Sequence, residues 1–456
     1  MTSTPDTHYL KTSDGVYIAY QVVGEGPVDV AMAFSSQEAN VDLMWEDPEW
    51  RPFLTGTAEF GRLILHDRRG TGVSSRNVPV PNLETRVADL LAVLDEVGSN
   101  QPILMAPTEP GAMHALFAAT HPDRVSGMVW VNPSARMAWA PDYEWGLGPD
   151  VYKESVRQSQ YWGTVEFVRT IADWRAAERA GIQPGAMTPV EHDRELLNLY
   201  ARINRNTATP DVALALNKLV WETDVRGILP AARTPTALVV GSADEMDEEA
   251  QFLASVMPNA TVHVVPGRAG VAVKQIMAIT RELAGIHRSA PMLDTVLATV
   301  LFTDIVDSSA RQAALGDRAW KALVLAHHER VRRALDRWRG VENDTAGDGF
   351  YATFDGPARA IRCALDIAEQ MEDLGIQIRA GLHTGECELI DGKHGGLTVS
   401  IGARVASTAG SSEVLISQTV KDLVAGSGFL FEDRGEHTLK GIPENWRLYR
   451  VAEAGG

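Results

Sequence analysis

Residues 295–306, TVLATVLFTDIV, form an apolar, β-rich run that carries an aspartate, Asp304, near its end. A second aspartate, Asp348, lies in a Gly-Asp-Gly turn between two further strand-like runs, ENDTA and FYATF. Two carboxylates at strand ends can converge on hard divalent cations, which prefer oxygen ligands. The turn by itself also fits an ordinary β-hairpin corner, so the interpretation depends on the sequence around it.

The segments around these aspartates alternate between helix and strand patterns. A long amphipathic helix is expected from about 310 to 338, and further helices at ARAIRCALDIAEQME and TVSIGARVASTA. Strands are expected at IQIRAGLHTGE and again towards the end of the sequence. This order predicts an α+β sandwich with helices on one face of a largely antiparallel sheet.

Seven motifs in this region resemble, in order and spacing, the class III adenylyl and guanylyl cyclase domains, particularly actinobacterial members fused to hydrolase-like domains. They are FTDIVDSS, ALGDRAW, TAGDGFYATFDGPARAI, IRAGLHTGE, ARVASTAG, EVLISQTV and FEDRGEHTLKG. The resemblance implies a ferredoxin-like α+β domain over 294–456 that works as a head-to-tail homodimer, with its active sites in the dimer groove.

The resemblance also implies roles for individual residues. Asp304 and Asp348 match the aspartates that hold two Mg²⁺ or Mn²⁺ ions, and Arg379 and Lys440 match phosphate-binding residues. Arg404 matches the arginine that stabilises charge on the transferring phosphoryl group. The reaction implied is conversion of a purine nucleoside triphosphate, in the first place ATP, to the 3′,5′-cyclic monophosphate and pyrophosphate. Each basic residue has a plainer interpretation as a solvated surface charge.

Three positions depart from the family's pattern. Asp344 stands where adenylyl cyclases carry an adenine-reading lysine, Lys393 where they carry its partner aspartate, and Ser400 where they carry a ribose-orienting asparagine. The exchanged charges suit guanine, whose N1-H donates and whose O6 accepts. Asp344 and Lys393 can equally pair with each other, which would leave the purine base with little selection between adenine and guanine. A guanylyl or relaxed-specificity cyclase, and a catalytically weak nucleotide-binding module, therefore stay open as alternatives.

Ahead of this domain, six apolar β-rich runs alternate with helical stretches: VDVAMAF, RLILHD, PILMAP, GMVWVNP, PTALVVG and ATVHVVP. Such alternation predicts a parallel sheet with helices on both faces. A helical insertion is expected at about 141–227 and a linker at 286–293. Residues 1–285 resemble the α/β-hydrolase fold, with the insertion as its helical cap.

The hydrolase resemblance covers the fold and fails at the catalytic positions. Thr108 stands where the nucleophile elbow, Gly-x-Ser-x-Gly, carries serine, and Gly270 stands where the histidine base belongs. Only the acid position, Asp244, is kept. Without an imidazole, nothing takes the proton from Thr108. We expect a regulatory or scaffolding domain without hydrolase activity, with a small molecule as candidate ligand; a serine-type esterase is the least favoured alternative.

Composition limits the partners. The net charge of −18 argues against nucleic acid or an anionic membrane, because both require a basic surface. The two cysteines, Cys363 and Cys387, are too few for a disulfide framework. Together with the lack of a long apolar run, this predicts a soluble, cytoplasmic protein.

Overall fold

The computed structural model describes residues 5–35, 39–170, 194–244, 247–286, 295–390 and 393–452. The chain divides into two compact units, Met1–Met292 and Leu293–Gly456. The expected linker falls outside the described residues except for its first position, and so does the middle of the expected insertion.

The first unit is built on an eight-stranded sheet. Its strands are β1 (His8–Lys11), β2 (Tyr17–Val23), β3 (Asp29–Met32), β4 (Arg62–His66), β5 (Ile103–Pro107), β6 (Gly127–Val131), β7 (Thr236–Gly241) and β8 (Ala260–Val265). The spatial order is β1-β2-β4-β3-β5-β6-β7-β8, and β3 to β8 run parallel. All six predicted runs are strands of this sheet. The antiparallel edge formed by β1 and β2 lies outside the predicted pattern.

The helices described in this unit are α1 (Trp50–Phe60), α2 (Leu83–Glu96), α3 (Pro110–Thr120), α4 (Pro149–Ser159), α5 (Arg194–Thr207), α6 (Pro210–Glu222), α7 (Asp247–Val256) and α8 (Val273–Ile286). Strands β6 and β7 are buried along their whole length, which requires cover on both faces of the sheet. Helices α4, α5 and α6 lie within the expected insertion.

The second unit has a sheet of its own. Its strands are β9 (Thr295–Ile305), β10 (Val341–Ala346), β11 (Gly349–Phe354), β12 (Ile378–Ile390), β13 (Lys393–Gly395), β14 (Val414–Ser417), β15 (Leu430–Thr438) and β16 (Asn445–Ala452). Their order is β10-β11-β9-β12-β14-β16-β15, with β13 paired to β12. Every pair is antiparallel except β12 with β14. The largely antiparallel sheet is therefore confirmed.

The helices described in the second unit are α9 (Ser308–Leu315), α10 (Asp317–Trp338), α11 (Pro357–Glu372), α12 (Leu397–Thr408) and α13 (Gln418–Leu423). The prediction of one continuous helix over 310–338 is wrong, because Gly316 adopts a φ of +76° and separates α9 from α10. Glycine tolerates this left-handed region without steric cost. Across the described ranges of both units, no helix combines the length and apolarity that a membrane span requires.

The two faces of the second sheet carry different helices. Leu301 of β9 packs in one core with residues of α10 and α11. Helix α12 lies on the opposite face, where a Cβ added to Gly402 would come within 2.3 Å of Val300 Cγ2. A Cβ on Gly381 of β12 would meet the Ala406 backbone nitrogen at 2.0 Å. The expectation of helices on one face only is therefore wrong, and glycines allow α12 to approach the sheet closely.

Candidate active site

A strand and a hairpin bring Asp304 and Asp348 together. Asp304 is the penultimate residue of β9, and Asp348 follows Gly347 in the two-residue turn between β10 and β11. Gly347 has a φ of +65°, a value that tight hairpin turns use and that glycine adopts without strain. Because β11 pairs with β9, the turn lies beside Asp304. The amide of Ile305 donates to Asp348 Oδ2 at 3.2 Å.

The two carboxylates influence each other electrostatically. Burial raises the pKa of Asp348, and the negative charge of Asp304 raises it further. Adjacent like charges favour either protonation of one group or a bound cation. The side-chain atoms that could ligate a metal ion here are carboxylate oxygens, which suit Mg²⁺ or Mn²⁺. Among the described residues, no group of three or more His, Cys, Asp or Glu side chains could hold a metal ion; a cation here would take its other ligands from backbone carbonyl oxygens, water or substrate.

Arg379 contacts the first carboxylate directly. It lies opposite Asp304 in the β9–β12 pair, and its Nη2 and Nε donate to Asp304 Oδ2 at 2.5 and 3.2 Å. The side chains of Arg379 and Asp304 are 38% and 37% exposed. The arginine predicted to bind phosphate is thus paired with a predicted metal ligand.

A histidine of α10 contacts the same turn. His328 Nε2 lies 2.9 Å from the carbonyl oxygen of Gly347, and the His328 ring packs edge-on against Phe350 with centroids 5.0 Å apart. Sequence reasoning misses this contact, because a histidine on an amphipathic helix gives no sign of which loop it will meet. The turn that presents Asp348 is therefore fixed from the helix as well as from β9.

Three other predicted residues lie apart from the carboxylates. Ser400 and Arg404 are one turn apart on α12, both exposed, and Lys440 is exposed just beyond β15. Within the residues that the structure describes, no hydrogen bond or ion pair engages the Arg404 guanidinium or the Lys440 ammonium group. The single chain thus brings Asp304, Asp348 and Arg379 together and leaves α12 with unpaired polar groups.

The predicted base-reading positions lie on β10 and β13. Asp344 is exposed, and its Oδ1 accepts a hydrogen bond from the Thr345 amide at 2.9 Å. The neighbouring Asn343 sits at an irregularity in the β10–β11 register, with its Oδ1 3.2 Å from His394 Nδ1. Lys393 begins β13, but its side chain lies outside the described part of the structure. The exchange of charges between Asp344 and Lys393 therefore stays a prediction.

Two stacked aromatic rings lie on the same sheet face. Phe302 and Tyr351 are 4.7 Å apart between centroids and 3° from parallel, and Tyr351 faces Asp344 in the β10–β11 register. The Tyr351 hydroxyl donates to the His394 carbonyl oxygen at 3.1 Å. Directly paired residues share a face, as do residues two apart, so Asp344, Tyr351, Phe302 and Asp304 form one surface. The sequence does not reveal the role of His394, which depends on contacts between distant segments.

The N-terminal unit keeps the shape of a nucleophile elbow. Thr108 lies between β5 and α3 with a φ of +33°, a strained value for a β-branched residue. Trp130 Nε1 donates to the Thr108 carbonyl oxygen at 2.6 Å. The sharp turn expected of the fold is therefore present with threonine at its tip.

The other two hydrolase positions do not complete a triad. Asp244 Oδ2 accepts from the amides of Gly241 and Ala269 at 3.1 and 2.8 Å, and Arg268 Nε lies 3.4 Å from Oδ1. Gly270 is exposed in the loop after β8. The carboxylate at the acid position therefore holds the backbone of the loop, where a hydrolase would use it to orient an imidazole.

Glu109, directly after the elbow threonine, is part of a buried ion cluster. Its Oε1 lies 2.5 Å from Arg86 Nη1 and its Oε2 3.5 Å from Arg68 Nη2. Burial alone would raise the pKa of Glu109, but the charges of the two arginines outweigh it and hold the pKa below its ordinary value. Burial, with the neighbouring charge of Arg86, lowers the pKa of Arg68 to about 10. The carboxylate of Glu109 and the two guanidinium groups are therefore partners for each other.

Comparison with known families decides the assignment of the second unit. The family model of the adenylate and guanylate cyclase catalytic domain matches residues 291–453. The C-terminal unit is a class III cyclase domain. The serine aminopeptidase S33 model matches residues 61–268, and the unit that precedes the cyclase domain has the α/β-hydrolase fold. Both fold predictions are confirmed.

Individual relatives match only parts of the chain. An uncharacterised protein of Mycobacterium tuberculosis is 31% identical over 154 residues, which are 33% of this chain and 53% of the relative. Receptor-type adenylate cyclase GRESAG 4.3 of Trypanosoma brucei brucei is 25% identical over 219 residues, 36% of this chain and 17% of the relative. The chain thus spans about half the length of the mycobacterial relative and less of the trypanosome one.

Solved structures resemble each unit separately. The adenylyl cyclase CyaB from P. aeruginosa has a TM-score of 0.33 at 20% identity, covering 35% of this chain and 97% of that one. The bromoperoxidase from Bacillus anthracis has a TM-score of 0.48 at 18% identity, covering 62% of this chain and 99% of that one.

Proposed function

We propose that the cyclase domain is an active enzyme that converts a purine nucleoside triphosphate, in the first place ATP, to the 3′,5′-cyclic monophosphate and pyrophosphate. The observation that carries this proposal is the adjacency of Asp304 and Asp348, with Arg379 on the same surface. Two adjacent carboxylates favour either a bound cation or protonation of one of them, and a bound cation lets both stay ionised.

The proposed mechanism assigns one task to each residue. Asp304 and Asp348 would hold the two divalent cations, which would supply Lewis-acid activation of the ribose 3′-hydroxyl and neutralise charge on the triphosphate. The ribose 3′-hydroxyl loses its proton to water as its oxygen bonds to the α-phosphorus and the bond to pyrophosphate breaks. Arg404 stabilises the developing phosphoryl charge, a task suited to a planar and permanently charged guanidinium. Lys440 binds the phosphates, and Ser400 orients the ribose through a bridging water.

We infer that the site is shared between two copies of the chain. Ser400 and Arg404 are exposed on α12, and no contact joins them to Asp304 or Asp348 within the described residues of one chain. The family resemblance implies that a second copy supplies Arg404, together with the base-reading residues Asp344 and Lys393, to the carboxylates of the first. A monomer is then inactive, because each site lacks half of its parts.

Mixing two inactive variants tests this arrangement. Asp304→Ala and Arg404→Ala homodimers should each lose at least about 10²–10³-fold in cyclic nucleotide formation with Mg²⁺ or Mn²⁺. Random exchange makes half of the dimers mixed, each with one complete site, so about one quarter of wild-type activity should return. Failure to recover activity in mixed dimers would exclude the shared site, and a wild type without activity would exclude the cyclase.

The purine preference is tested at Asp344. Initial rates with ATP and GTP define the wild-type ratio, and Asp344→Lys should move it towards ATP, because a lysine donates to adenine N1. Asp336→Lys, an equal charge change at an exposed position of α10, serves as the control. An ATP preference that neither variant alters would remove Asp344 from base selection.

For the N-terminal unit we propose a regulatory or scaffolding role without hydrolase activity. Gly270 occupies the position of the base that would activate Thr108, and Asp244 accepts hydrogen bonds from backbone amides. Ester hydrolysis that disappears on Thr108→Ala would overturn this. We place the protein in the cytoplasm, where ATP and GTP are abundant and where its buried free thiols, Cys363 and Cys387, stay reduced.

A further inference from the structure

We propose that Arg379 is a counter-ion gate on the metal site: it neutralises Asp304 until a cation enters, and the entering cation releases it to the triphosphate. The inference rests on the proposed function, since it describes how that site is loaded. It gives Arg379 two successive partners, a carboxylate of its own chain and then a phosphate.

The geometry places Arg379 in competition with a cation. Its Nη2 and Nε converge on one oxygen, Asp304 Oδ2, at 2.5 and 3.2 Å. The remaining oxygen, Oδ1, lies 3.9 Å from a Cβ built on Gly349, on the side of the Asp348 hairpin. A divalent cation held between the two carboxylates would be repelled by a guanidinium on the same carboxylate. The metal ion and the Arg379 guanidinium therefore compete for Asp304.

The pair is also accessible enough to exchange partners. Arg379 and Asp304 are each more than a third exposed, so breaking their contact leaves neither group buried and unpaired. A fully buried ion pair would be locked, because removal of one partner strands the other charge. Arg379 can thus leave Asp304 when a stronger competitor arrives.

Exchange of partners couples the two ligands. Once a cation occupies the carboxylates, Arg379 is free to pair with the triphosphate, so bound cation strengthens nucleotide binding. Coupling between two ligands is reciprocal, and bound nucleotide must equally strengthen cation binding. The gate therefore disfavours a metal-loaded site that lacks nucleotide.

The test measures Mn²⁺ binding to the full chain without nucleotide, by electron paramagnetic resonance of free Mn²⁺. Arg379→Gln should bind Mn²⁺ about 5-fold or more tightly than wild type, within the usual range of site coupling. The chain has a net charge of −18, so Mn²⁺ bound by other carboxylates has to be subtracted, and Asp304→Asn in each background defines the contribution of this site. Arg379→Lys, which keeps the charge, should bind close to wild type.

Arg311→Gln is the matched control. Arg311 lies at the same end of the domain and donates to the carbonyl oxygens of Val306 and Gly375 at 3.3 and 3.1 Å, so its removal changes the net charge equally without freeing Asp304. Equal affinities in Arg379→Gln and Arg311→Gln, or weaker binding in a folded Arg379→Gln, would overturn the gate.

A second readout separates the gate from the cyclase itself. A non-cyclisable ATP analogue should tighten Mn²⁺ binding in wild type and do so about 5-fold less in Arg379→Gln. Tighter Mn²⁺ binding by Arg379→Gln in a chain that makes no cyclic nucleotide would keep the gate and reject the proposed function. An active cyclase whose Mn²⁺ affinity is the same with and without Arg379 would keep the proposed function and reject the gate.

Discussion

The elbow of the N-terminal unit and the hairpin of the cyclase domain are both tight turns that hold a polar residue at the end of a strand. Their charged surroundings differ. At the elbow, Glu109 is buried between two arginines. At the hairpin, Asp304 and Arg379 are more than a third exposed; elsewhere in the same domain, Arg404 on α12 is exposed as well. Removing one partner of a buried pair leaves the other charge buried and unpaired, whereas exposed charges stay solvated and accessible to a ligand.

The largest loss of stability expected from this contrast follows substitution of Glu109. Glu109→Gln leaves Arg86 and Arg68 buried without their carboxylate, which should lower the free energy of unfolding by about 3–5 kcal/mol. Urea unfolding of the full chain, followed for the N-terminal unit by hydrogen exchange, measures the loss. Glu154→Gln, which breaks an exposed pair with Arg157 on α4, should leave stability unchanged. A loss below about 1 kcal/mol would remove the distinction between the two sites.

A smaller effect is expected at His383, which shows that the cyclase domain also has buried polar groups. His383 Nδ1 hydrogen-bonds with Ser417 Oγ at 2.8 Å, and burial lowers the pKa of His383 to about 3. Below the ordinary histidine value of about 6.5, the unfolded chain binds a proton that the folded chain does not, so stability falls as the pH falls. The loss from pH 7 to pH 5 should be about 2 kcal/mol.

His383→Gln should abolish that share of the pH dependence, measured as the difference in unfolding free energy at the two pH values. The matched variant is His437→Gln, on the edge strand β15, which should retain the wild-type slope. Equal slopes in wild type and His383→Gln would show that this histidine titrates normally in the folded domain.

The smallest expected effect on stability is at Arg404. Since its guanidinium has no partner within the described residues, Arg404→Ala should change the unfolding free energy by less than about 0.5 kcal/mol. The same variant should lose cyclase activity, because Arg404 is proposed to act only on the reacting phosphoryl group. Destabilisation above about 1 kcal/mol would assign it a structural role and weaken the contrast with Glu109.

Local pattern accounts for most of what the sequence predicted correctly. The six parallel strands of the first unit are short apolar runs bounded by turns, and such runs identify buried strands without knowledge of their neighbours. The Gly347 turn and the strand that ends near Asp304 are equally local. The family resemblance added the order of the motifs, and with it the fold of the cyclase domain.

The features that were missed depend on contacts between distant segments. Nothing local in β12 indicates that Arg379 would pair with Asp304, or that His328 would meet the Gly347 carbonyl. Nothing near Glu109 in the sequence indicates that it is buried, because its partner Arg86 is distant along the chain. The break at Gly316 was missed for another reason, because a single glycine inside a helical pattern is usually tolerated.

The close contact between α12 and the sheet has a mechanical consequence. Gly381 lets the backbone of α12 approach β12 directly, and Gly402 lets α12 pack against the side chains of Val300 and Phe302. Close-packed contacts of this kind are hardly compressible, so a displacement of the sheet moves α12 with it. A methyl group added at either glycine would push α12 away from the sheet and shift Arg404, which α12 carries, without altering Asp304 or Asp348.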